Sequence, residues 1–228
     1  MGAIEHRPIR AKPMPTNPTR IHGLYAITPD MTDTAELVRR ARLAMRGGAR
    51  VLQYRNKSAD VALRLAQALA LKQVAGELGV TFIINDDVRL ALQVDADGVH
   101  LGAADGSVAA ARALLGAEKI IGVSCYNRIS AARQAVVAGA DYVAFGAFFA
   151  SLVKPDAVTA DVGLLHQARA ELSLPLVAIG GITAQNAAPL IGAGADAVAV
   201  ISALWGAQDI QAAARGFSML FDFNRPRN

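Results

Sequence analysis

The sequence predicts an α/β fold, a single (β/α)8 TIM barrel, and three observations lead to that prediction. The chain has 228 residues, and one such barrel takes roughly 200–250 residues. Eight short apolar runs recur along it, separated by segments with helical periodicity. A small turn motif precedes several of these runs at the same place in each unit. Eight repeated β-α units are the number that closes a parallel barrel.

The eight apolar runs are the predicted strands. Their near-continuous Val, Ile and Ala content is typical of parallel strands that are buried on both faces. In chain order they are GLYAIT (23–28), ARVLQY (49–54), VTFIIN (80–85), DGVHLG (97–102), KIIGVS (119–124), DYVAFG (141–146), PLVAIG (175–180) and DAVAVI (196–201).

The segments between the strands are predicted helices that end in tight turns. Apolar residues recur at spacings of three and four, as expected of amphipathic helices; an example is Leu63, Ala66, Leu69 and Ala70. A glycine before the next strand can end a helix with a left-handed C-cap. The repeated turns are Gly48-Ala49-Arg50, Gly139-Ala140-Asp141 and Gly194-Ala195-Asp196, and Asp95-Ala96-Asp97 stands in the same place.

An open doubly wound sheet would also alternate strands and helices. Such a sheet usually carries a Gly-rich G-x-G-x-x-G turn after its first strand. Here Thr28-Pro29-Asp30 follows the first strand. The barrel is therefore the favoured prediction.

Composition and charge exclude several classes of protein. Hydrophobic residues make up 53% of the chain, yet no apolar run approaches the roughly 20 residues that span a bilayer. The net charge of +4 comes from the two ends, because residues 21–221 hold 17 cations and 17 anions. We therefore expect no nucleic-acid partner and no membrane partner. The sequence leaves open whether the chain forms a homo-oligomer.

The predicted domain organisation is one barrel with two short tails. Residues 1–20 are rich in Pro and cations and lack the apolar core of a signal peptide, so we interpret them as a flexible lead. Residues 21–221 form the barrel, and residues 222–228 form a C-terminal tail. The single cysteine, Cys125, excludes an internal disulfide and fits a reducing, cytoplasmic location. We interpret it as a buried small hydrophobe rather than a nucleophile.

Cations lie just past the second strand, and the ends of all parallel strands gather at one face of a barrel. In VLQYRNK, Gln53, Arg55 and Lys57 share a parity, so their side chains are expected to point into the barrel mouth. Two cations on one side suit the oxygens of a diphosphate. The alternative is a solvated strand end. Gln53 favours the site, because an amide one pleat deeper needs a polar partner.

Acidic residues follow the third and fourth strands, which are neighbours in a barrel. Asn85 and Asp86 close the third strand, and Asp105 follows the fourth. Such carboxylates can approach within metal-ligand range, and Mg²⁺ is commonly held by one or two carboxylates plus substrate phosphate. The alternative for Asp86 is a helix N-cap, unless Asp87 takes that role. Asp105 has the same alternative, as a cap for the helix that starts near Ser107.

Further candidates follow the later strands. His100 should point inward, where a hydrogen-bonded core histidine is more common than an acid–base catalyst. Ser124, at the end of the fifth strand, is a candidate hydrogen-bonding partner for a substrate ring. Lys154 lies in FFASLVKPDA, the longest loop on this face, which can cover a ligand.

A second anion site is predicted after the seventh and eighth strands. Barrels frequently bind phosphate on backbone N–H groups of these two loops. Gly180-Gly181 allows close approach of the backbone, and Ser202, after Ile201, can begin a short helix. Two anion sites in one mouth imply two phosphorylated small-molecule substrates, or one long one.

These residues, in this order, resemble the thiamine-phosphate synthase family, also called thiamine-phosphate pyrophosphorylase. The resemblance runs from GLYAITPD at residue 23 to ISALWGA at 201–207. It is carried by LQYRNK, IINDD, DGVHLG with Asp105, IIGVS, ADYVAFG, KPDA from Lys154, VAIGGI with Asn186, and AGADAVAV. It implies a (β/α)8 barrel that joins a hydroxymethylpyrimidine diphosphate to a thiazole phosphate. The products would be thiamine phosphate and pyrophosphate.

The resemblance also implies roles for individual residues. Asp86 and Asp105 would bind Mg²⁺, the implied cofactor. Diphosphate departure would precede attack by the thiazole nitrogen. No general base would be required, because the ring nitrogen is already a nucleophile. The residues that would act on the reacting groups are Arg55, Lys57, Lys154 and Ser124. The pyrimidine diphosphate would be held by Gln53, Tyr54, Arg55, Asn56, Lys57 and Asn85, and the thiazole phosphate by Ser151, Leu152, Val153, Gly181, Ile201 and Ser202.

Three segments depart from the family's pattern. The family's lid usually reads P-[ST]-x-T-K, but Ala150 and Val153 stand in place of the Pro and the second Thr. Ala103 and Ala104 stand where Gln and Glu are common, and Tyr126 stands where His is common. These changes bear on catalytic efficiency and thiazole affinity more than on the reaction itself.

Two other functions remain as alternatives. A thiazole tautomerase-like relative would rely on a His after the fifth strand and would not need a full metal–diphosphate set. Tyr126 argues against it, together with Asp86, Asp105, Arg55 and Lys154. A non-catalytic barrel that binds a phosphorylated ligand is supported by the altered lid alone.

Overall fold

A computed structural model describes residues 20–102, 105–150 and 160–223. The N-terminal lead through residue 19, residues 103 and 104, the loop 151–159 and the last five residues lie outside the described residues. Ser151, Leu152, Val153 and Lys154 are therefore among the candidates that the structure does not describe.

The described residues form a closed barrel of eight parallel strands in the order β1 to β8, with β1 paired to both β2 and β8. This confirms the predicted TIM barrel and excludes the open doubly wound sheet. The strands are β1 Gly23–Ile27, β2 Ala49–Tyr54, β3 Thr81–Asn85, β4 Gly98–Leu101, β5 Ile120–Tyr126, β6 Tyr142–Phe145, β7 Leu176–Ile179 and β8 Ala197–Val200.

Helices follow the strands and cover the outside of the barrel. Most of the longer ones begin at an Asp or Ser whose side chain accepts a hydrogen bond from the backbone three residues on, as Asp33, Asp60 and Asp161 do. The helices are α1 Thr34–Arg46, α2 Val61–Glu77, α3 Val88–Gln93, α4 Val108–Leu115, α5 Ile129–Ala138, α6 Val162–Glu171, α7 Ala188–Gly192, α8 Ser202–Trp205 and α9 Ile210–Phe223. None of the described helices is both long enough and apolar enough to cross a membrane.

The core has two layers. Side chains such as Tyr25, Val51, Ile83 and Tyr142 fill the inside of the barrel, and a larger outer layer lies between the strands and the helices. Cys125 is fully buried in this outer layer, as predicted, and burial raises the pKa of its thiol to about 12.

The buried face of α2 differs from the apolar pattern in the sequence. Leu69 is 50% exposed, whereas the helix buries Gln67 together with Ala68, Leu71, Val74 and Ala75. The spacing of apolar residues predicted the wrong buried face of α2, because Gln67, a polar residue, occupies the centre of the packed face. Its side chain has a hydrogen-bonding role in the loop after β2, which is described below.

The repeated turns are hydrogen-bonded to the starts of the strands at the N-terminal end of the barrel. All four turns start with a left-handed residue, at Gly48, Asp95, Gly139 and Gly194. In three of them the Asp that follows accepts bonds from a strand N–H and from an arginine. These sets are Asp97 with Phe82 N and Arg20, Asp141 with Ile121 N and Arg112, and Asp196 with Leu176 N and Arg169.

The barrel closes at a seam between its first and last strands. Trp205 of α8 is buried there, and its indole Nε1 donates a hydrogen bond of 2.5 Å to the Ile27 carbonyl at the end of β1. Arg40 of α1 donates to the carbonyl of Trp205. Trp205 therefore packs on its own barrel and joins α8, α1 and β1.

Candidate active site

Two carboxylates meet where β3 and β4 end. Asp86 directly follows β3 with a left-handed φ of 63°, and Asp105 lies after β4. Burial, then the hydrogen bond and the charge of Asp105, raise the pKa of Asp86 to about 6, whereas Lys57 and Arg55 act to lower it. The Asp86 carboxyl, with its pKa near 6, therefore keeps its proton to a higher pH than an ordinary aspartate does.

Neither carboxylate caps a helix. Asp87 caps α3 by accepting from Leu90 N at 2.9 Å, and Ser107 caps α4. One Asp105 oxygen accepts from Gly102 N at 2.8 Å, which folds the side chain back over the end of β4. Both capping alternatives are thus taken by other residues, and the two carboxylates are left facing each other.

The donor set of this pair fits Mg²⁺. Within residues 20–102, 105–150 and 160–223, no three His, Cys, Asp or Glu side chains are grouped closely enough to hold a metal ion. Zinc sites commonly take three or four protein ligands. Mg²⁺ prefers oxygen and is often held by one or two carboxylates together with water and substrate phosphate. Asp86 and Asp105 could hold such an ion.

The predicted cations border the same place. A cavity of about 250 Å³ lies between the ends of β2 and β3, and it is lined by Arg55, Lys57, Arg64, Asn85 and Asp86 among others. Arg64, in the first turn of α2, was not predicted; its only signal is its position one turn into the helix that follows the cation motif. The cavity therefore combines three cations with one carboxylate of the pair.

Thr28 and Asp30 hold the cation loop, and sequence reasoning missed both roles. Thr28 Oγ1 donates to the Arg55 carbonyl and accepts from Arg55 N, both at 2.9 Å. One Asp30 carboxylate oxygen accepts from the Arg55 guanidinium at 3.2 Å and from Lys57 N at 3.1 Å. The signal was available, because Thr28-Pro29-Asp30 follows β1 where the other site residues follow their strands.

Tyr54 and Asn56 also line the cavity, and the polar groups of their side chains are bonded within the protein. The Tyr54 hydroxyl donates to Gln67 Oε1 at 2.8 Å. The Asn56 amide nitrogen donates to Met31 O and to Gln67 Oε1, while its oxygen accepts from Ser58 and Ala59. Both side chains are committed to the protein, so a substrate contact by either residue remains a prediction.

A buried chain of hydrogen bonds crosses the inside of the barrel from Gln53 to Ser124. Gln53 Nε2 donates to the Tyr25 hydroxyl at 2.8 Å, which lies 2.8 Å from the Tyr142 hydroxyl. Tyr142 lies 2.9 Å from His100 Nδ1, and His100 Nε2 lies 2.8 Å from Ser124 Oγ. Burial lowers the pKa of His100 to about 4, against the opposing charge of Asp105. His100 is thus the neutral core histidine that the sequence predicted.

The loops after β7 and β8 are placed as predicted, but Gly181 is also packed against the segment that follows β6. Ser202 begins α8 and Ile201 precedes it. Gly180 and Gly181 have φ of 102° and 60°. A Cβ on Gly181 would lie 2.7 Å from the carbonyl oxygens of Phe149 and Ala150, so this glycine accommodates the segment after β6. Phosphate binding at Gly181, Ile201 and Ser202 remains a prediction.

Comparison with known proteins identifies the family. The family model described as thiamine monophosphate synthase matches residues 24–204, which is most of the chain. The chain belongs to the thiamine monophosphate synthase family. The thiamine-phosphate synthase of Methylobacillus flagellatus is 59% identical over 202 residues, covering 89% of this chain and 96% of that protein. That of Nitrosomonas eutropha is 53% identical over 207 residues, covering 91% and 98%.

A solved structure of a thiamine phosphate pyrophosphorylase from Pyrococcus furiosus superimposes with a TM-score of 0.80 at 33% identity, covering 90% of this chain and 97% of that one. This member of the thiamine monophosphate synthase family is accordingly an enzyme, a transferase of thiamine biosynthesis with the TIM-barrel fold. Phosphorylated small molecules are its substrates.

Proposed function

We propose that this enzyme joins 4-amino-2-methyl-5-(diphosphooxymethyl)pyrimidine to a thiazole phosphate, and that Mg²⁺ binds at Asp86 and Asp105. The products would be thiamine phosphate and pyrophosphate. One observation supports this most: the Asp86 carboxylate lies against Asp105 and within electrostatic reach of both Arg55 and Lys57. A diphosphate placed between these groups would bind to the cations directly and to the carboxylates through the metal.

The side chains of this site would act on the leaving group. Arg55 and Lys57 would bind the diphosphate oxygens and stabilise the negative charge that grows as the carbon–oxygen bond breaks. Mg²⁺, when bound, would supply further neutralisation of that charge. Asp30 would keep Arg55 aimed at the cavity, since it already holds the guanidinium. Lys154, outside the described residues, would add a further cation.

Departure of the diphosphate with the electron pair of the carbon–oxygen bond would convert the pyrimidine into a cation stabilised by its amino group. The thiazole nitrogen would then attack the methylene carbon. This nitrogen carries its own electron pair, so the enzyme needs no general base. Buried His100, whose pKa is lowered to about 4, would be a weak base, which agrees with a reaction that needs none. Ser124 would hold the pyrimidine ring, and Gly181, Ile201 and Ser202 would hold the thiazole phosphate together with residues 151–153.

Cys125, the single cysteine of the chain, is buried with a raised pKa and is not expected to act as a nucleophile, which agrees with a mechanism that needs none. The single cysteine, which excludes an internal disulfide, also supports our prediction of a cytoplasmic enzyme.

The test is pyrophosphate release with both substrates, with and without Mg²⁺. We expect release to require both substrates and the metal, and to fall on the order of 10²-fold in Arg55→Ala and in Lys154→Ala. Arg215→Ala, which changes an exposed arginine of α9, is the matched control and should keep the wild-type rate. Binding of the thiazole phosphate with no release of pyrophosphate would instead support the tautomerase or ligand-binding alternative.

The order of bond breaking has its own measurement. If the diphosphate leaves first, the methylene carbon becomes planar in the transition state, and deuterium at that carbon slows the reaction. A direct displacement by the thiazole would show an isotope effect near one, which would contradict the dissociative step.

A further inference from the structure

The buried chain from Gln53 to Ser124 has a direction that follows from counting protons. An amide nitrogen only donates, so the Tyr25 oxygen accepts from Gln53. For the Tyr25 proton to be bonded it must pass to the Tyr142 oxygen. Tyr142 must then donate to His100 Nδ1. A neutral histidine that accepts at Nδ1 carries its proton on Nε2, and this proton points at Ser124 Oγ.

Packing keeps the members of this chain in place. Tyr25 and Tyr142 are fully buried, so water cannot replace a missing partner. The Tyr142 ring lies between the Tyr25 ring, at a centroid distance of 6.2 Å, and the His100 ring, at 5.5 Å. It also fills the space over Gly122, where a Cβ would lie 1.9 Å from the Tyr142 Cζ. Packing therefore holds the Tyr142 ring, and with it the hydroxyl oxygen, within hydrogen-bonding distance of both Tyr25 and His100.

We propose that Tyr25 and Tyr142, acting through His100, are positioning residues that make Ser124 a hydrogen-bond donor toward the substrate. Because Ser124 Oγ accepts from His100, its own proton is free to point into the mouth. The matching feature of the ligand is an acceptor, such as the bare ring nitrogen of an aminopyrimidine. The identity of the ligand in this inference rests on the proposed function, but the direction of the hydrogen-bond chain from Gln53 to Ser124 does not.

Without this hydrogen-bond chain, Ser124 would no longer be held as a donor toward the ligand. In Tyr142→Phe nothing donates to His100 Nδ1, so the imidazole proton can move to Nδ1 and leave Nε2 bare. Ser124 would then donate to His100, and its oxygen would present lone pairs to a ring nitrogen that also carries one. The Ser124 hydroxyl would then repel the ring nitrogen of the ligand instead of donating a hydrogen bond to it.

The first experiment reads the histidine tautomer by ¹⁵N NMR of the imidazole nitrogens in the wild-type protein. The chain has four histidines, and the His100→Asn variant assigns the resonances. We expect a protonated Nε2 and a bare Nδ1 for His100. A protonated Nδ1 would mean that the chain runs the other way, with the Gln53 amide turned around, and would overturn the proposal. This measurement needs neither substrate nor activity.

The second experiment measures binding. Tyr142→Phe should shift the His100 tautomer toward Nδ1 protonation and weaken binding of the pyrimidine diphosphate roughly 10-fold. Binding of pyrophosphate with Mg²⁺, which lacks the ring, should not change. Thr81→Val, which removes a buried hydroxyl at the start of β3, is the control and should leave both the tautomer and the binding unchanged.

A double-mutant cycle separates positioning from general damage to the core. If Tyr142 acts through Ser124, Tyr142→Phe should cause no further loss of pyrimidine affinity in a Ser124→Ala background. Equal losses in both backgrounds would refute the positioning role. Wild-type protein that shows the expected tautomer but fails to bind the pyrimidine would refute the proposed substrate while leaving the chain's direction established.

Discussion

Replacing Asp86 by Asn is expected to stabilise the metal-free protein at neutral pH while removing its activity. The left-handed backbone at this position, φ 63°, suits Asn better than most residues, so the turn is kept. The substitution removes a half-buried negative charge that lies against the Asp105 carboxylate. The same charge would be needed to bind Mg²⁺, so stability and activity should change in opposite directions.

The raised pKa of Asp86 sets the expected change in the free energy of unfolding. It rises from 3.8 to about 6 in the folded protein, a difference that corresponds to roughly 3 kcal/mol. Because the carboxyl is only half-buried, solvent screening reduces the expected effect to about 1–2 kcal/mol. The folded chain binds this proton more tightly than the unfolded chain does. The wild-type carboxyl therefore favours folding below roughly pH 4, and this contribution is lost as the pH rises through about 6.

The assay is urea unfolding in EDTA at about pH 7.5 and about pH 4. Asp86→Asn should raise the free energy of unfolding at the higher pH and have little effect at the lower one. Asp33→Asn, at the N-cap of α1, is the matched control, because Asn caps a helix about as well as Asp. Added Mg²⁺ should stabilise the wild type and not the variant. An equal gain at both pH values, or no gain at neutral pH, would refute the reasoning.

Three further predictions concern stability and reactivity. Asp141→Ala removes the acceptor for Ile121 N and should lower the free energy of unfolding in urea by about 1–3 kcal/mol; a changed KM for either substrate would show that this end of the barrel affects the site. Native Cys125 should resist iodoacetamide at about pH 8, because burial raises its pKa; mass spectrometry should find label only after denaturation. Gln67→Ala leaves Asn56 with one partner fewer and should weaken pyrophosphate binding in calorimetry; an unchanged Kd would mean that the loop holds its shape without Gln67.

The parts that the sequence predicted correctly are those that depend on local pattern. A parallel strand buried on both faces is a continuous apolar run, so all eight strands could be located. Residues just past those runs come together because the barrel gathers its strand ends, which explains why Asp86 was correctly expected near Asp105 and the cations.

The parts that were missed depend on partners far along the chain. The bond between Tyr25 and Tyr142 joins residues 117 positions apart, and no local period shows that they face each other inside the barrel. Gln67 was overlooked for another reason: a polar residue on a buried helix face counts against the apolar pattern, although its hydrogen bonds satisfy it there. The roles of Lys154 and the lid depend on residues outside the described part of the chain and stay predictions.

Trp205 is the only tryptophan in the chain, and its place at the seam makes it a natural optical reporter of ring closure. Its indole is bonded to Ile27, 178 positions away in sequence, and contacts with large sequence separation are slow to form. In refolding experiments, tryptophan fluorescence should therefore lag behind the helical signal in circular dichroism. If the two signals rise together, helices and ring form in one step. A lag would show that the barrel spends measurable time as an open, curved sheet whose first and last strands have yet to meet.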